Sequence, residues 1–357
     1  MKLIVLFAGA LALFVQGLFA QQPRVSNARL ETRPVTGGLE TEFQAILRAQ
    51  ASPAWVGYAE PIIRGDPPGD RQSYCWNDGG GCSLEHHAGD RGVTVAGPQT
   101  VKLEGPTHLV VLLRVENHQT GKIHTFTPEC DLDAGGLPLI WLTGVTAPDS
   151  IRFLQSIIKS ETGTTRDEVR MADAAVAAIA LHADPAADQA LEELAAPNQP
   201  EKVRRQAIFW LGNARGRRGF EVISRIVRED PSDKIREHAV FALTESKEPE
   251  ALSTVVGVAH NDSSAHVRGQ ALFWLAQKAA QKIAESSIRD AIANDPETEV
   301  KKRAVFALTQ MPNGEGVPLL IQVARTNPNP QVRKQAVFWL GQSRDTRALA
   351  FIEDVLK

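Results

Sequence analysis

The chain has 357 residues, of which 43% are apolar, 6% aromatic and 23% charged, so a largely disordered chain is excluded and two folded domains are possible. The formal net charge is −3 and no basic run is present that could follow a phosphate backbone, so we expect no nucleic-acid partner. The first twenty residues form the only long apolar stretch, which excludes a protein with several membrane spans.

The N-terminal segment 1–20 is typical of a secretory signal peptide. Lys2 precedes an apolar run that reaches Val15, and polar residues follow Ala20 directly. We therefore expect cleavage near Ala20 and an exported protein, periplasmic or extracellular, with no membrane contact beyond the export signal. A retained membrane anchor is the alternative. It is disfavoured because Gln16 interrupts the run, which is short for the ~20 apolar residues that a spanning helix needs.

Residues 21–147 are predicted to form a small α+β domain of unknown function. The hydrophobic patterns indicate one helix and an antiparallel sheet. The predicted elements are a helix at 40–49 and strands at 54–63, 93–103, 108–116, 122–127 and 139–143.

Three cysteines, Cys75, Cys82 and Cys130, would meet the oxidising environment that export implies. Cys75 and Cys82 flank a glycine-rich turn, so we predict a disulfide between them, which would contribute about 2 to 3 kcal/mol in the chain-entropy model. Cys130 is left over, either free or in a bridge between two chains. The competing interpretation adds His86 and His87 to form a zinc site. Because this spacing matches none of the usual zinc patterns, we expect no metal.

The second half of the chain, residues 148–357, is repetitive. A motif recurs five times with an apolar anchor, a basic residue directly after it, and a Phe six positions after the anchor. The apolar residues of each copy follow helical spacing, and a second apolar helix is predicted between successive copies. Such a hairpin cannot bury its own apolar face, so the units must stack to form a core. The five anchors are Val203, Ile235, Val267, Val300 and Val332.

These motifs resemble HEAT-type repeats, in particular the short repeats of phycobilisome-lyase-type proteins, which implies an all-α solenoid of about six helical hairpins. In HEAT repeats, a turn Asp or Asn and a basic residue six positions later form a ladder between successive turns, and a guanidinium suits this role. The resemblance implies this ladder for Asn198 and Arg204, Asp230 and Arg236, Asp262 and Arg268, Asp295 and Lys301, and Asn327 and Arg333. Residues 21–147 resemble the leading domain of exported bacterial HEAT-repeat proteins, which implies no activity.

Aromatic residues recur in the same motif. The positions are Phe209, Phe241, Phe273, Phe306 and Phe338 in one column, and Trp210, Ala242, Trp274, Ala307 and Trp339 in the next. They form either an aromatic binding ridge or part of the packing, with Phe in the seams between hairpins and Trp in alternate core layers. We favour packing, because burying such a ring contributes about 2 to 3 kcal/mol.

No catalytic constellation is present in the sequence. It contains no nucleophile elbow, no phosphate-binding loop and no His-Glu-x-x-His motif. HEAT-like repeats include the iron enzyme deoxyhypusine hydroxylase, whose metal is held by His-Glu pairs. The adjacent pair in these repeats, Glu237-His238, has the reverse order. We therefore expect no catalytic residues, no cofactor and no small-molecule ligand.

The sequence favours an exported protein-interaction scaffold without catalysis of its own. The concave face of the solenoid would bind a protein partner through polar positions on the repeated helices, namely Arg205, Glu237, Lys302 and Lys334. The alternative is a ligand-sensing or metal-dependent enzymatic leading domain, built around Cys75, Cys82, His86 and His87 with Cys130 as a further candidate, and with the repeats as a docking arm.

Overall fold

The structure, a computed structural model, describes residues 23–64, 83–85, 107–128, 130–160 and 165–356. Several predictions concern other parts of the chain and stay predictions. They are the signal peptide at 1–20, the disulfide between Cys75 and Cys82, the zinc alternative with His86 and His87, and the strand at 93–103.

The N-terminal part is built on a mixed sheet. Its described elements are β1 (Arg24–Ser26), β2 (Arg29–Pro34), α1 (Leu39–Ala49), β3 (Ala54–Pro61), β4 (His108–Glu116), β5 (Gln119–Phe126), β6 (Asp131–Asp133) and β7 (Pro138–Thr143). Five strands form one sheet in the order β2-β7-β3-β4-β5, and β1 pairs with β6 in a separate parallel pair. The α+β class predicted from the sequence is confirmed.

The prediction of an antiparallel sheet is correct only for one side of it. Strands β3, β4 and β5 are antiparallel neighbours, whereas β7 runs parallel to β3 and β2 runs parallel to β7. Strand β2 was absent from the predicted elements because its sequence, Arg-Leu-Glu-Thr-Arg-Pro, has no apolar alternation. It is an exposed edge strand that pairs on one side only, so its side chains do not need to be apolar.

The sheet buries both of its faces. Val56 and Tyr58 of β3 point into the main core, which they share with Phe43 of α1. Trp55 points to the opposite face, where it packs with Trp141 of β7. Burial on two faces explains why β3 and β4 are apolar over nearly their full length rather than alternating.

The rest of the described chain is helical. The helices are α2 (Ala147–Ser160), α3 (Arg166–Leu181), α4 (Ala186–Ala195), α5 (Glu201–Ala214), α6 (Gly216–Glu229), α7 (Asp233–Glu245), α8 (Ala251–Asn261), α9 (Ala265–Lys278), α10 (Gln281–Asn294), α11 (Thr298–Thr309), α12 (Val317–Thr326), α13 (Pro330–Gln342) and α14 (Thr346–Leu356). From α3 onward, consecutive helices pair into hairpins that stack in chain order. An all-α solenoid therefore follows the sheet, as predicted.

The hairpins form two layers. Helices α3, α5, α7, α9, α11 and α13 contact one another in sequence and form what we call the inner layer. The alternate helices, from α4 to α14, form the outer layer, and they contact each other less extensively. The closer approach of the inner helices makes theirs the shorter, concave side of the stack.

The sheet and the solenoid share one core. The main buried cluster runs without interruption from Leu39 in α1 to Phe351 in α14. Backbone hydrogen bonds also join the two parts, from Ile63 N to the Leu181 oxygen and from Ala183 N to the Pro61 oxygen, both at 2.8 Å. The predicted boundary between residues 147 and 148 coincides with the beginning of α2, which itself packs against α1 and α3.

Candidate binding surface

The helical phase of each inner helix determines which side chains reach solvent. In α5, Ala207 and Leu211 are fully buried. Phe209 stands two residues from each of them, which is about 200° around an α-helix at 3.6 residues per turn. The Phe side chain therefore points away from the core. The same phase recurs in α7, α9, α11 and α13, where Phe241, Phe273, Phe306 and Phe338 occupy the equivalent position.

The aromatic side chains of the inner helices form a continuous surface, which we call the aromatic stripe. It consists of Phe209, Phe241, Phe273, Phe306 and Phe338 together with Trp210, Trp274 and Trp339. Seven of these side chains are partly exposed, and Phe338 is 53% exposed. A row of large apolar side chains in register on a surface is unusual for a soluble protein and is a mark of an interaction site.

Ring contacts connect the stripe from one repeat to the next. Phe209 and Phe241 stack with centroids 6.1 Å apart, and Phe273 and Phe306 stack at 6.2 Å. Trp274 lies 4.8 Å from Phe241, between the two stacked pairs. In the same way Trp339 contacts Phe306 at 5.0 Å and Phe338 at 5.0 Å. These contacts hold the rings in fixed positions, so the surface is organised before any partner binds.

The prediction that the phenylalanines fill the seams of the core is wrong. The tryptophans pack against the core while keeping part of their surface in solvent, but the five phenylalanines lie outside the core cluster. The seams are filled by smaller residues such as Ala207 and Ala239. Small side chains let the inner helices approach closely, and this close approach leaves no room for a Phe ring between them.

The four predicted binding residues lie one helical turn before a Phe of the stripe. Arg205, Glu237, Lys302 and Lys334 precede Phe209, Phe241, Phe306 and Phe338 by four residues, which places them on the same helix face. Glu237 accepts a hydrogen bond from His266 at 3.0 Å, and Lys302 donates to Glu299 at 2.9 Å. Arg205 and Lys334 are exposed and make no ion pair within the described chain.

The predicted ladder residues lie in the turns between repeats. Arg236 donates to the Asp230 carbonyl oxygen at 2.8 Å and to both carboxylate oxygens of Asp262, in the next repeat, at 2.9 and 3.0 Å. Arg268 binds the Asp262 carbonyl oxygen and the Asp295 carboxylate in the same way. Each of these arginines thus ties its own turn to the next one, and the guanidinium is buried where it does so.

The two ends of the predicted ladder differ from its middle. Arg204 donates to Asp230 of the next repeat, but it binds the carbonyl of Ala195 instead of Asn198. At the other end, Lys301 donates to the Ala293 oxygen at 2.8 Å and does not reach Asn327. Arg333 binds the Asn327 carbonyl oxygen at 2.7 Å. The series of carboxylate-to-guanidinium bonds therefore runs from Arg204 to Asp295 and stops at Lys301. There the basic group is a single ammonium, and the turn residue of the next repeat, Asn327, is a neutral amide.

A cleft opens on the outer side of the solenoid where the ladder stops. It has a volume of about 270 Å³ and lies between α10 and α12, lined by Arg289, Lys301, Leu319 and Thr326 among others. It is open to solvent and contains no buried unpaired polar group. We therefore regard the cleft as a consequence of the missing ladder contact rather than as a ligand site.

Sequence reasoning did not reveal a buried polar group at the junction of sheet and solenoid. The Ser150 hydroxyl donates to the Tyr58 hydroxyl oxygen at 2.8 Å, and a ring nitrogen of the fully buried His182 lies 2.9 Å from the same Ser150 oxygen. Burial lowers the pKa of His182 to about 4, so its ring is neutral at physiological pH. These side chains are 32 to 124 residues apart in sequence, beyond the reach of any local pattern.

Glu60 lies near this group and is itself buried, with 3% of its surface exposed. Its Oε1 has no hydrogen-bond partner within the described chain. Burial, reinforced by the nearby carboxylates of Asp184 and Asp149, raises the pKa of Glu60 to about 8. Glu60 therefore carries a proton at neutral pH.

Neither a metal-binding cluster nor a membrane-spanning helix is found among the residues that the structure describes. Within these ranges no three His, Cys, Asp or Glu side chains gather closely enough to hold a metal ion. Nor does any described helix combine the length and the apolar character that a bilayer crossing requires. Cys130 is buried in the second core cluster, with its sulfur 3.7 Å from the Thr127 hydroxyl, and it is disulfide-bonded within the chain, so the prediction that it is left over is wrong.

Comparison with known proteins supports the repeat architecture. Residues 187–276 and 286–357 match the model of the family HEAT repeats. No curated protein matches the chain significantly.

Several solved structures align with part of the chain. The complex of CpcE and CpcF of phycocyanin lyase from Nostoc sp. PCC7120 is 17% identical, over 44% of this chain and 98% of that one, with a TM-score of 0.34. YibA of Escherichia coli is 22% identical, over 48% of this chain and 64% of that one, with a TM-score of 0.33. Kap95p, solved with RanGDP, is 18% identical, over 56% of this chain and 30% of that one, with a TM-score of 0.35.

The family match covers α4 to α9 and most of α10 to α14, the same region in which the inner helices carry the aromatic stripe. The repeated motif, the stacked hairpins and the family model therefore agree that this region is a HEAT-like helical solenoid.

Proposed function

We propose that this chain is an exported protein-interaction scaffold without catalysis of its own, and that the aromatic stripe is the surface that binds its protein partner. The observation that carries the proposal is the register of five solvent-facing phenylalanines across five consecutive inner helices. HEAT solenoids present extended concave surfaces that suit the binding of a protein.

Apolar aromatic side chains are the residues that contribute most to protein interfaces, because they bury a large area with few rotatable bonds. Here the rings are held by one another, and the tryptophans also by the core, so a partner would not have to order them on binding. Polar residues such as Arg205 and Lys334 flank the rings, which is the arrangement of an apolar centre with a polar rim.

The test is capture of a partner from an envelope extract of the source organism. The baits are residues 21–357 of the wild type, a Phe241→Ala/Phe306→Ala variant, and an Ile283→Ala control. Ile283 is an exposed apolar side chain in α10, on the outer layer. We expect the wild type and the control to retain the same protein and the double variant to lose it. Equal retention by all three baits would show that the stripe is not the binding surface.

The proposed export is tested on the cellular protein. Mass spectrometry of the chain from fractionated cells should find a mature N-terminus near Gln21 in the envelope or the medium. A chain that keeps residues 1–20 and stays in the cytoplasm would contradict export without affecting the proposed binding surface.

A further inference from the structure

The aromatic stripe carries a surplus of unpaired positive charge. Acidic neighbours of the stripe on the inner face have partners within the chain. Glu237 accepts a hydrogen bond from His266 at 3.0 Å, and Glu299 and Glu245 form ion pairs with Lys302 and Lys278, each at 2.9 Å. Each of these contacts joins side chains of the inner layer, so these three carboxylates already have partners.

The basic residues at the two ends of the stripe are not neutralised in this way. Arg205 lies one turn before Phe209, and Lys334 lies one turn before Phe338; both are exposed and form no ion pair with any part of the chain that the structure describes. A partner that lies along the stripe passes both charges. Charge complementarity therefore favours an acidic partner, although the protein as a whole carries a net charge of −3.

Amide side chains lie beside two of the tryptophans. Gln270 and Gln335 lie one helical turn before Trp274 and Trp339, are partly exposed, and make no side-chain hydrogen bond within the described ranges. A glutamine amide both donates and accepts, as does a peptide group. An extended segment offers free peptide groups to such amides, whereas a helix satisfies its own backbone internally.

The repeat spacing sets a period for the bound segment. Neighbouring packed helices lie about 8 to 10 Å apart. An extended chain in the polyproline II conformation advances about 3.1 Å per residue and completes a turn in three residues, so every third side chain points to the same side and one turn spans one repeat. A side chain of the partner would then meet a ring of the stripe at every third residue.

We propose that the aromatic stripe binds an extended, acidic segment of its partner that presents an apolar side chain at every third residue. This inference rests on the proposed function and specifies the chemistry of the partner. The apolar side chains lie on the Phe and Trp rings, the acidic side chains face Arg205 and Lys334, and the peptide groups of the segment hydrogen-bond to Gln270 and Gln335.

The test measures fluorescence anisotropy of labelled synthetic peptides with the full mature chain at low ionic strength. Three of the peptides consist of about five three-residue units with Leu at every third position. The residues between the leucines are Glu in the first peptide, Ser in the second and Lys in the third. A fourth has the Glu and Leu composition of the first, with the leucines at helical spacing. We expect the extended acidic peptide to bind tightest, by at least about tenfold over the Lys peptide, and to weaken as salt is added.

Variants assign the contacts. Arg205→Glu/Lys334→Glu should weaken binding of the extended acidic peptide by about tenfold and narrow its advantage over the Lys peptide. Lys282→Glu, an exposed charge reversal on the outer helix α10, should leave binding unchanged. Gln270→Ala/Gln335→Ala should weaken the extended acidic peptide about threefold or more and leave the helical peptide unaffected.

The inference is overturned if the Ser or Lys peptide binds as tightly as the acidic one, if the helical peptide binds tighter than the extended one, or if no peptide binds. If the Ser peptide or the helical peptide binds best and loses its binding in Phe241→Ala/Phe306→Ala, the partner segment is not acidic and extended. The stripe would still be the binding surface, as proposed above. Where no peptide binds, the capture experiment alone decides the proposed function.

Discussion

Arg236 and Asp262 belong to neighbouring repeats and are joined by two parallel hydrogen bonds of 2.9 and 3.0 Å, with both side chains more than nine-tenths buried. A buried pair of this kind stabilises only while both partners are present, because a lone buried charge is costly. We expect Asp262→Ala to lower the free energy of unfolding by about 3 to 5 kcal/mol. Urea denaturation followed by circular dichroism measures the loss.

The matched control is Asp354→Ala. Asp354 lies in α14 and forms an exposed ion pair with Arg325 of α12. Its expected effect is below about 1 kcal/mol, since exposed ion pairs contribute little. Similar losses for the two variants would contradict a buried ladder.

Close packing of the inner helices depends on Gly212. A methyl group at this position would lie 2.3 Å from the Ala242 carbonyl oxygen in the next inner helix. We expect Gly212→Ala to destabilise the protein by about 1 to 3 kcal/mol, because α5 and α7 would have to separate. Thermal unfolding monitored by circular dichroism checks this.

Gly257→Ala in α8 is the corresponding control, since nothing lies within 4 Å of the added methyl group. There the change should stabilise the protein by about 0.5 to 1 kcal/mol through the higher helix propensity of Ala. If both substitutions stabilise, the inner helices are not in close contact at Gly212.

The surface position of the phenylalanines predicts a small effect on stability. Phe273→Ala should cost about 1 kcal/mol, whereas Leu275→Ala, two residues away and fully buried, should cost about 2 to 5 kcal/mol. Urea denaturation of both variants and the wild type makes the comparison. Equal losses would restore the packing interpretation of the aromatic column.

Glu60 makes stability depend on pH. Its pKa is raised to about 8 by burial in the folded protein, against 4.5 as its ordinary value, so the folded state holds a proton that the unfolded state has released. The contribution of Glu60 is therefore fully present below pH 4.5 and is lost as the pH rises towards 8, at up to about 1.4 kcal/mol per pH unit.

Glu60→Gln keeps the shape of the side chain and replaces the titratable carboxyl group with an amide that does not titrate. Its unfolding free energy should fall less than that of the wild type between pH 5 and pH 8, as measured by urea denaturation across the range. Parallel profiles for the two proteins would show that Glu60 does not titrate in this window.

The amino-acid sequence alone predicts the repeats but not the surface they form. The anchors such as Val203 recur at a fixed step, and their helical spacing reveals the stacked hairpins. The position of Phe209, two residues from the buried Ala207 and Leu211, already carried the signal for an exposed ring. Weighing the apolar character of Phe above its helical phase produced the wrong expectation.

Other features depend on contacts that no local pattern contains. The polar strand β2 forms because β7 offers it an open edge, and β7 follows more than a hundred residues later. The pairing of Tyr58, Ser150 and His182 requires three distant segments to meet. Each arginine of the ladder binds the carboxylate of the next repeat as well as its own turn. The distance between stacked repeats determines this pairing, and spacing along the chain does not reveal it.

The uninterrupted core between sheet and solenoid determines how the protein can be divided. A cut between residues 147 and 148 would remove the sheet and α1 from the apolar faces of α2 and α3, and Ser150 and His182 would lose Tyr58. The repeats would begin with an uncovered, adhesive end, and aggregation of such a fragment would be mistaken for partner binding. The sheet serves the solenoid as its N-terminal cap, so binding studies need the whole mature chain.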